Sequence, residues 1–245
     1  MIEVHVIPAL IDNYIYVIRA PKTGQIAAID PSEASFVMNF LQEKKWEKLN
    51  FIYNTHHHFD HVGGNLELKS RYNCEIYCSE FDKPRVPGAT HGLNDNQQIK
   101  LGDNSIETIN VPGHTLGAVC YYAKASGVIF TGDTLFTSGC GRLFEGTASD
   151  LWQSLKRLSK LPLETKVYSG HEYGLQNAAF AKRMFPENPE IIARYEAFKE
   201  AHRTNIATVS TTIGQELQTN PFLRSQSLEE FISLRRAKDD FRLED

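Results

Sequence analysis

The sequence of 245 residues has no long apolar run, and none of its segments approaches the ~20 consecutive apolar residues of a membrane-spanning helix. Basic residues are not in excess either, because 26 Lys and Arg stand against 30 Asp and Glu. Binding to nucleic acid or to an anionic membrane would need a local basic patch, and we expect neither partner. The N-terminal residues lack the basic start and apolar stretch of a secretory signal, so we expect a cytoplasmic protein.

Cysteine is scarce as well, with four residues and no spacing typical of a zinc ribbon. Cys74 and Cys78 lie in a strand-like run, and Cys140 lies in a Gly-Cys-Gly-Arg turn. We expect the four thiols to be reduced and partly buried rather than joined in disulfides. We interpret Cys140 as a packing residue of a tight loop and not as a nucleophile.

The sequence does contain a series of short β-branched or aromatic runs that end at Gly, Asp, Pro or His. These runs are Ile26–Ile29, Phe51–Tyr53, Ile106–Val111, Val128–Phe130 and Val167–Tyr168. Helical patterns lie between them, as at Leu151, Leu155 and Leu158. Short apolar strands with helical cover predict an α/β layered domain, in which polar residues collect at the strand ends.

The pattern changes after His171, where strand-like runs give way to helix signals. Asn188 and Pro189 are typical of an N-cap followed by an N1 proline, and the segment from Ser227 to Glu230 is typical of a capping box. We therefore predict two domains, one α/β domain over residues 1–171 and one small helical domain over residues 172–245.

The strongest chemical signal follows the Phe51–Tyr53 run, where the chain matches the pattern His-x-His-x-Asp-His. The residues in the pattern are His56, His58, Asp60 and His61. Imidazole nitrogen and carboxylate oxygen suit zinc and similar divalent ions, and a short turn allows residues two apart to face the same ion. Three further strand ends supply distant partners, which are His114, Asp133 and His171. A histidine-rich surface loop that binds metal nonspecifically would not need distant partners at other strand ends. A structural zinc site would use cysteine ligands and leave no open coordination position.

Other residues near the pattern have simpler interpretations. His57 lies between two potential ligands and should face away from the ions as a packing residue. Asp30 either orients a ligand histidine or caps a turn, and the sequence leaves both roles open. His5, His91 and His202 have no partners in motif spacing and are taken as ordinary histidines.

The ligand order resembles that of the metallo-β-lactamase superfamily along most of the chain. The resemblance implies an αββα sandwich followed by a small all-helical C-terminal domain. It also implies two divalent ions, zinc in the first place with iron or manganese as alternatives. By the same resemblance, His56, His58 and His114 hold one ion, Asp60, His61 and His171 hold the other, and Asp133 bridges them. Asp60 and Asp133 then serve catalysis as ligands that hold a metal-bridging hydroxide.

Longer runs resemble the glyoxalase II family. They include the stretch from Thr131 to Gly146, Ser169-Gly-His-Glu-Tyr-Gly-Leu-Gln-Asn and Asn220-Pro-Phe-Leu-Arg. The resemblance implies hydrolysis of S-D-lactoylglutathione and related S-(2-hydroxyacyl)glutathiones to glutathione and the hydroxy acid, which is the second step of methylglyoxal detoxification. Matching positions imply six substrate contacts: Arg142, Phe144, Tyr173, Asn177, Arg235 and Lys238.

Two of these contacts also have a physical basis in the sequence. Arg235 and Lys238 are three residues apart, so they share one face of a helix and could clamp a carboxylate. Phe144 stands where some family members have tyrosine, which removes one hydroxyl contact.

Five alternatives compete with this function, and one of them, a noncatalytic binding module, should have lost metal ligands that this sequence keeps. A persulfide-type sulfur dioxygenase shares the ligands but uses a single iron, and it is the closest alternative. A β-lactamase would lack the basic helical domain, a flavoprotein diiron module would carry Glu in place of His58, and a nuclease would need a basic groove. We expect a monomer that binds a small glutathione thioester.

Overall fold

The computed structural model describes residues 1–204 and 206–243, which form two compact units. The first unit comprises Met1–Asn110 and Gly117–Gly132, and the second comprises Val111–Leu116 and Asp133–Asp245. The domain division predicted between residues 171 and 172 falls within the second unit and stays a prediction. Within the described ranges, every helix is too short or too polar to cross a membrane.

A six-stranded mixed sheet opens the first unit. Its strands and the intervening helices are β1 (Glu3–Ala9), β2 (Asn13–Arg19), β3 (Ile26–Ile29), α1 (Ala34–Glu43), β4 (Phe51–Tyr53), α2 (Phe59–Val62), α3 (Asn65–Tyr72), β5 (Glu75–Ser79) and β6 (His91–Leu93). Strands β1, β2 and β3 pair antiparallel, whereas β3, β4, β5 and β6 run parallel. Parallel pairing brings the C-terminal ends of β3 and β4 to the same sheet edge, where Asp30 and residues 54–61 follow.

Four antiparallel strands complete the first unit, in the order β10-β9-β8-β7. They are β7 (Gln98–Leu101), β8 (Asn104–Asn110), β9 (Val119–Ala123) and β10 (Val128–Gly132), and a short 3-10 helix, Lys124–Ser126, precedes β10. Ring pairs connect the two sheets, because Tyr53 stacks on Tyr121 at 5.3 Å and Tyr16 lies 5.2 Å from Phe130. Helices α1 and α3 contribute Val37, Leu41 and Leu68 to a buried apolar cluster with the first sheet.

The second unit is mainly helical. It contains β11 (Leu135–Phe136), β12 (Gly139–Cys140), α4 (Ala148–Leu158), β13 (Lys166–Ser169), α5 (Gly174–Met184), α6 (Pro189–Arg203), β14 (Ser210–Thr212), α7 (Ile213–Thr219), α8 (Pro221–Arg224) and α9 (Leu228–Asp240). The short strand β14 interrupts the predicted helical segment. It pairs antiparallel with β13, and the β-branched Thr211 and Thr212 favour an extended backbone there.

Two predicted helix starts are confirmed. Asn188 caps α6 by accepting from the Ile191 N–H, with Pro189 in the first turn, and Ser227 caps α9 by accepting from the Glu230 N–H. The reciprocal half of the capping box predicted at Ser227 is different, because the Glu230 carboxylate accepts from the N–H of Gln226. The α/β class with a helical C-terminal region is also confirmed.

Candidate functional site

Two histidines at the end of β4 turn their ring nitrogens toward each other. His56 Nε2 lies 3.0 Å from His58 Nδ1, and His56 is almost fully buried. The hydroxyl of Thr55 donates to Asp30, so it accepts from Nδ1–H of His56 at 3.0 Å. That bond leaves Nε2 of His56 with a lone pair directed at His58, which is the arrangement a cation would use.

Asp30 organises this end of the sheet from its position directly after β3. Its carboxylate accepts from the N–H and the hydroxyl of Thr55, at 2.7 and 2.6 Å, and lies 3.0 Å from Nδ1 of His61. The residue adopts a left-handed backbone with φ of 50° and is 3% exposed. Asp30 therefore caps the turn and orients a histidine at once, so both roles left open by the sequence are present.

Asp60 and His61 lie on the short helix α2, one turn from the two paired histidines. The Asn13 amide donates to the Asp60 carboxylate at 2.9 Å, and His61 Nε2 lies 3.5 Å from that carboxylate. Because Nδ1 of His61 is directed at Asp30, Nε2 is the nitrogen available to a metal. The sequence did not predict Asn13 as a site residue, because a single asparagine in a hairpin belongs to no recognisable metal-ligand pattern.

His57 does not join these donors. Its Nδ1 lies 3.4 Å from the buried carboxylate of Asp82, and its Nε2 lies 3.4 Å from the guanidinium of Arg85. The His57 ring therefore packs against Asp82 and Arg85.

The second unit carries its own convergent set of potential metal ligands. His114 Nε2 lies 3.5 Å from the Asp133 carboxylate, and His171 Nε2 lies 3.2 Å from the same oxygen. His114 Nδ1–H donates to the Arg142 carbonyl at 2.8 Å, which leaves Nε2 as the nitrogen that accepts. His171 is fixed differently, since its ring stacks on Tyr173 with centroids 4.9 Å apart and planes 1° apart.

Gly141 allows this set to be compact. A methyl group at its Cα would overlap the carbonyl oxygen of Asp133 and would lie 3.1 Å from Nδ1 of His114. The position therefore requires glycine because two potential ligands approach its backbone.

A cavity of about 310 Å³ in the second unit adjoins His114 and Asp133. All six residues predicted to contact substrate line it, namely Arg142, Phe144, Tyr173, Asn177, Arg235 and Lys238. Sequence reasoning had not included Phe136, Gln176 and Phe241, which also line this cavity. Phenylalanine and glutamine are not specific to any kind of binding site, so only the fold shows that these residues line the cavity.

Arg235 and Lys238 supply buried positive charge to the cavity from α9. Arg235 is 4% exposed and donates to the Cys140 carbonyl and to Asp239, both at 2.9 Å. Lys238 is 8% exposed and lies over the rings of Phe180 and Phe241. Burial, and after it the charges of Arg235 and Arg142, lower the pKa of Lys238 to about 8. A cation kept in so unfavourable a place indicates an anionic ligand.

The other predicted contacts differ in how they face the cavity. Asn177 is buried, and its amide donates to the Thr137 carbonyl at 3.1 Å, so it already holds the cavity wall. Phe144 is 64% exposed, and its ring meets that of His114 edge-on at 5.1 Å. Cys140 is buried beside Arg235, and burial raises the pKa of its thiol to about 11, which fits a packing role.

The donor chemistry of both sets fits divalent metal ions. In the first unit, His56 Nε2 lies 3.0 Å from His58 Nδ1, and His61 Nε2 lies 3.5 Å from the Asp60 carboxylate. In the second unit, two imidazole nitrogens converge on one carboxylate oxygen. Nitrogen and carboxylate ligands without cysteine suit zinc, iron or manganese. The chain thus carries His/Asp metal-binding sets.

Comparisons with known proteins agree over nearly the full length of the chain. The family model for the metallo-beta-lactamase superfamily matches residues 12–171, and the model for the hydroxyacylglutathione hydrolase C-terminus matches residues 172–241. A hydroxyacylglutathione hydrolase of Methylococcus capsulatus is 43% identical, over 99% of this chain and 100% of the relative. Another, from a Synechococcus strain, is 46% identical over 89% of this chain and 86% of the relative. The crystal structure of ETHE1 from Myxococcus xanthus has a TM-score of 0.74 at 26% identity, covering 96% of this chain and 90% of that one.

Proposed function

Because the chain belongs to the hydroxyacylglutathione hydrolase family of the metallo-β-lactamase superfamily, we propose that it hydrolyses S-D-lactoylglutathione and related S-(2-hydroxyacyl)glutathiones. The products are glutathione and the hydroxy acid. One observation carries the proposal. The cavity that adjoins His114 and Asp133 also holds the buried cations Arg235 and Lys238, as a carboxylate-bearing thioester requires.

We assign the metal ligands by their order along the chain. His56, His58 and His114 would hold one ion, Asp60, His61 and His171 would hold the other, and Asp133 would be a ligand shared by both. The orientation of the rings within each unit supports the assignment, since Nδ1 of His56, His61 and His114 is each engaged by an oxygen. Zinc is the first candidate for both positions.

When bound, such ions lower the pKa of a coordinated water to about 7 and polarise a carbonyl oxygen. The residues of the chain supply the rest. Arg235 and Lys238 hold the glycine carboxylate of glutathione, and Tyr173 and Arg142 line the path toward His114 and Asp133. Water then adds to the thioester carbon, the C–S bond breaks, and the thiolate leaves and takes up a proton from solvent. A thiolate is a good leaving group, so no strong general acid is needed.

The domain roles follow from the same assignment. We propose that residues 1–171 hold the metals and that residues 172–245 bind glutathione. Buried thiols support a reducing location such as the cytoplasm, and we expect a monomer. Size-exclusion chromatography with light scattering tests the oligomeric state.

The decisive experiment compares turnover of S-D-lactoylglutathione with that of a coenzyme A thioester and a β-lactam, each with and without chelator. We expect fast, chelator-sensitive turnover of the glutathione ester alone. The double variant Arg235→Ala, Lys238→Ala should raise KM for this ester strongly. A metal-loaded protein that leaves S-D-lactoylglutathione intact would contradict the proposal.

The persulfide-type sulfur dioxygenase is the second candidate, because it shares these ligands. Metal analysis and oxygen uptake separate the two. Two metal ions per chain and no oxygen uptake with glutathione persulfide support the hydrolase, whereas a single iron and persulfide-dependent oxygen uptake support the dioxygenase.

A further inference from the structure

We propose that Glu216 is a positioning residue that fixes the 137–142 turn and, through this turn, both His114 and Arg235. The inference rests on the proposed function for its kinetic test, and it has metal-affinity and NMR tests that are independent of substrate. All the residues involved belong to the second unit.

Glu216 is fully buried on α7, and every bond it makes is to a donor. One carboxylate oxygen accepts from the Ser138 N–H and from the Asn220 amide, both at 2.8 Å. The other oxygen accepts from the Arg194 guanidinium at 2.6 Å and from the Thr211 hydroxyl at 2.7 Å. Four donors around one side chain require acceptors on both oxygens, which a carboxylate supplies and an amide, with an oxygen on one side only, does not.

The turn that Glu216 holds has a backbone that needs support. Ser138 has a φ of 56°, a left-handed conformation that costs ~1 kcal/mol or more for a residue with a Cβ. Two other side chains hold the same turn. The Asn220 amide donates to the Gly139 carbonyl at 2.9 Å, and the Asn177 amide donates to the Thr137 carbonyl at 3.1 Å. Helices α5 and α7 and the N-cap of α8 therefore converge on the turn.

The C-terminal part of the turn contacts two residues of the candidate site. The Cys140 carbonyl accepts from Arg235 at 2.9 Å, and the Arg142 carbonyl accepts from His114 Nδ1–H at 2.8 Å. One short segment thus sets the direction of a cation in the cavity and of an imidazole beside Asp133. A shift of this backbone would misplace both together, and misplacement of about 1 Å can cost on the order of 100-fold in rate.

Two variants separate positioning from stability. Glu216→Gln keeps the shape but presents an NH₂ group to donors, so the turn should loosen. Asn220→Ser keeps an oxygen that can cap α8 and accept from the Phe222 N–H, while it removes the amide that bonds to Gly139 and Glu216. Asn188→Ala is the matched control, because the Asn188 side chain caps α6 by accepting from the Ile191 N–H and lies outside the 137–142 turn.

The measurements are the melting temperature, the zinc affinity by chelator competition, the ¹H–¹⁵N signal of the His114 ring, and kcat and KM for S-D-lactoylglutathione well below the melting temperature. For Glu216→Gln and Asn220→Ser we expect zinc affinity to fall about 10-fold or more, the Nδ1–H signal of His114 to shift or broaden, and KM to rise at least fivefold. For Asn188→Ala, only the melting temperature should fall.

The outcomes are distinct. If both turn variants melt earlier but keep zinc affinity, the His114 signal and KM within twofold of the unmodified protein, Glu216 is only structural and the inference is wrong. If Glu216→Gln does not fold, Asn220→Ser alone decides in the same way. If the unmodified protein does not turn over the ester, the proposed function fails, and zinc affinity together with the His114 signal still judges the role of Glu216.

Discussion

Lys238 carries a charge in surroundings that disfavour it. Burial beside Arg235 and Arg142 lowers its pKa to about 8, whereas a free lysine side chain titrates near 10.5. In the empty cavity the side chain is protonated below pH 8 and neutral above it. A bound carboxylate favours the protonated form, so ligand binding and protonation of Lys238 support each other.

A pH dependence of KM follows from this coupling. We expect KM for S-D-lactoylglutathione to be lowest below pH 8 and to rise as the pH passes from 8 to 9.5, because Lys238 loses its proton in the free protein. Steady-state kinetics across this range measure the effect. Lys238→Arg keeps its charge throughout and should flatten the rise, which also controls for titration of the substrate. A KM that stays constant to pH 9.5 in the unmodified protein contradicts the prediction.

Asp30 should strongly affect metal affinity, because its carboxylate accepts hydrogen bonds from both Thr55 and His61. We predict that Asp30→Asn lowers metal affinity by about 10- to 100-fold, since an amide cannot accept all three hydrogen bonds. Competition with a chromophoric chelator measures this. Asp103→Asn is the control, as Asp103 is an exposed carboxylate paired with Lys22 at 3.1 Å. Equal metal affinity in the two variants would count against the role of Asp30.

Among the elements, the turn after β12 leaves no room for a side chain at Gly141. We predict that Gly141→Ala lowers both metal affinity and kcat by at least 10-fold, because the added methyl group would displace Asp133 or His114. Gly127→Ala is its control. Gly127 has a φ of 62° with nothing within 4 Å of the added Cβ, so that variant should cost only ~1 kcal/mol of stability. Zinc titration and kinetics of both variants provide the comparison, and normal zinc binding by Gly141→Ala would refute the steric argument.

The sequence predicted elements whose signals are local. Strands β3 and β4 match their apolar runs, and the starts of α6 and α9 match their capping residues, because each pattern lies within a few neighbouring positions. The three-residue strand β6 has no comparable pattern, since parallel pairing with β5 forms it. β14 likewise depends on its pairing with β13. A short Ser-Thr-Thr run within a helical region is too brief a pattern to predict a strand.

The same distinction holds for the candidate site. The potential ligands His56, His58, Asp60 and His61 lie within six residues of one another, so the sequence alone predicted a metal site. The double role of Asp30 depends on partners 25 and 31 residues away, and the bond from Glu216 to Ser138 spans 78 residues. Buried polar residues of this kind give no sequence signal, because their function exists only through the fold.

For the whole molecule, metal removal should separate stability from ligand binding. We predict that a strong chelator abolishes hydrolysis and lowers the melting temperature, because the ions bind only the folded state. Glutathione binding in the cavity of the second unit should weaken by less than tenfold, since Arg235 and Lys238 hold the carboxylate without metal. Calorimetric titration of glutathione into metal-free protein checks this. Readdition of zinc restores activity, and a total loss of glutathione binding would contradict the prediction.

The four cysteines are buried and form no disulfides, and burial raises the pKa of Cys74 and Cys140 to about 11 and that of Cys78 to about 12. A pKa of 11 leaves on the order of one thiolate in ten thousand at pH 7, and only the thiolate attacks a disulfide. The proposed product is itself a thiol that shares its surroundings with glutathione disulfide. Cys74, Cys78 and Cys140 should therefore react slowly with glutathione disulfide, and we expect the activity to stay constant while the glutathione redox potential varies.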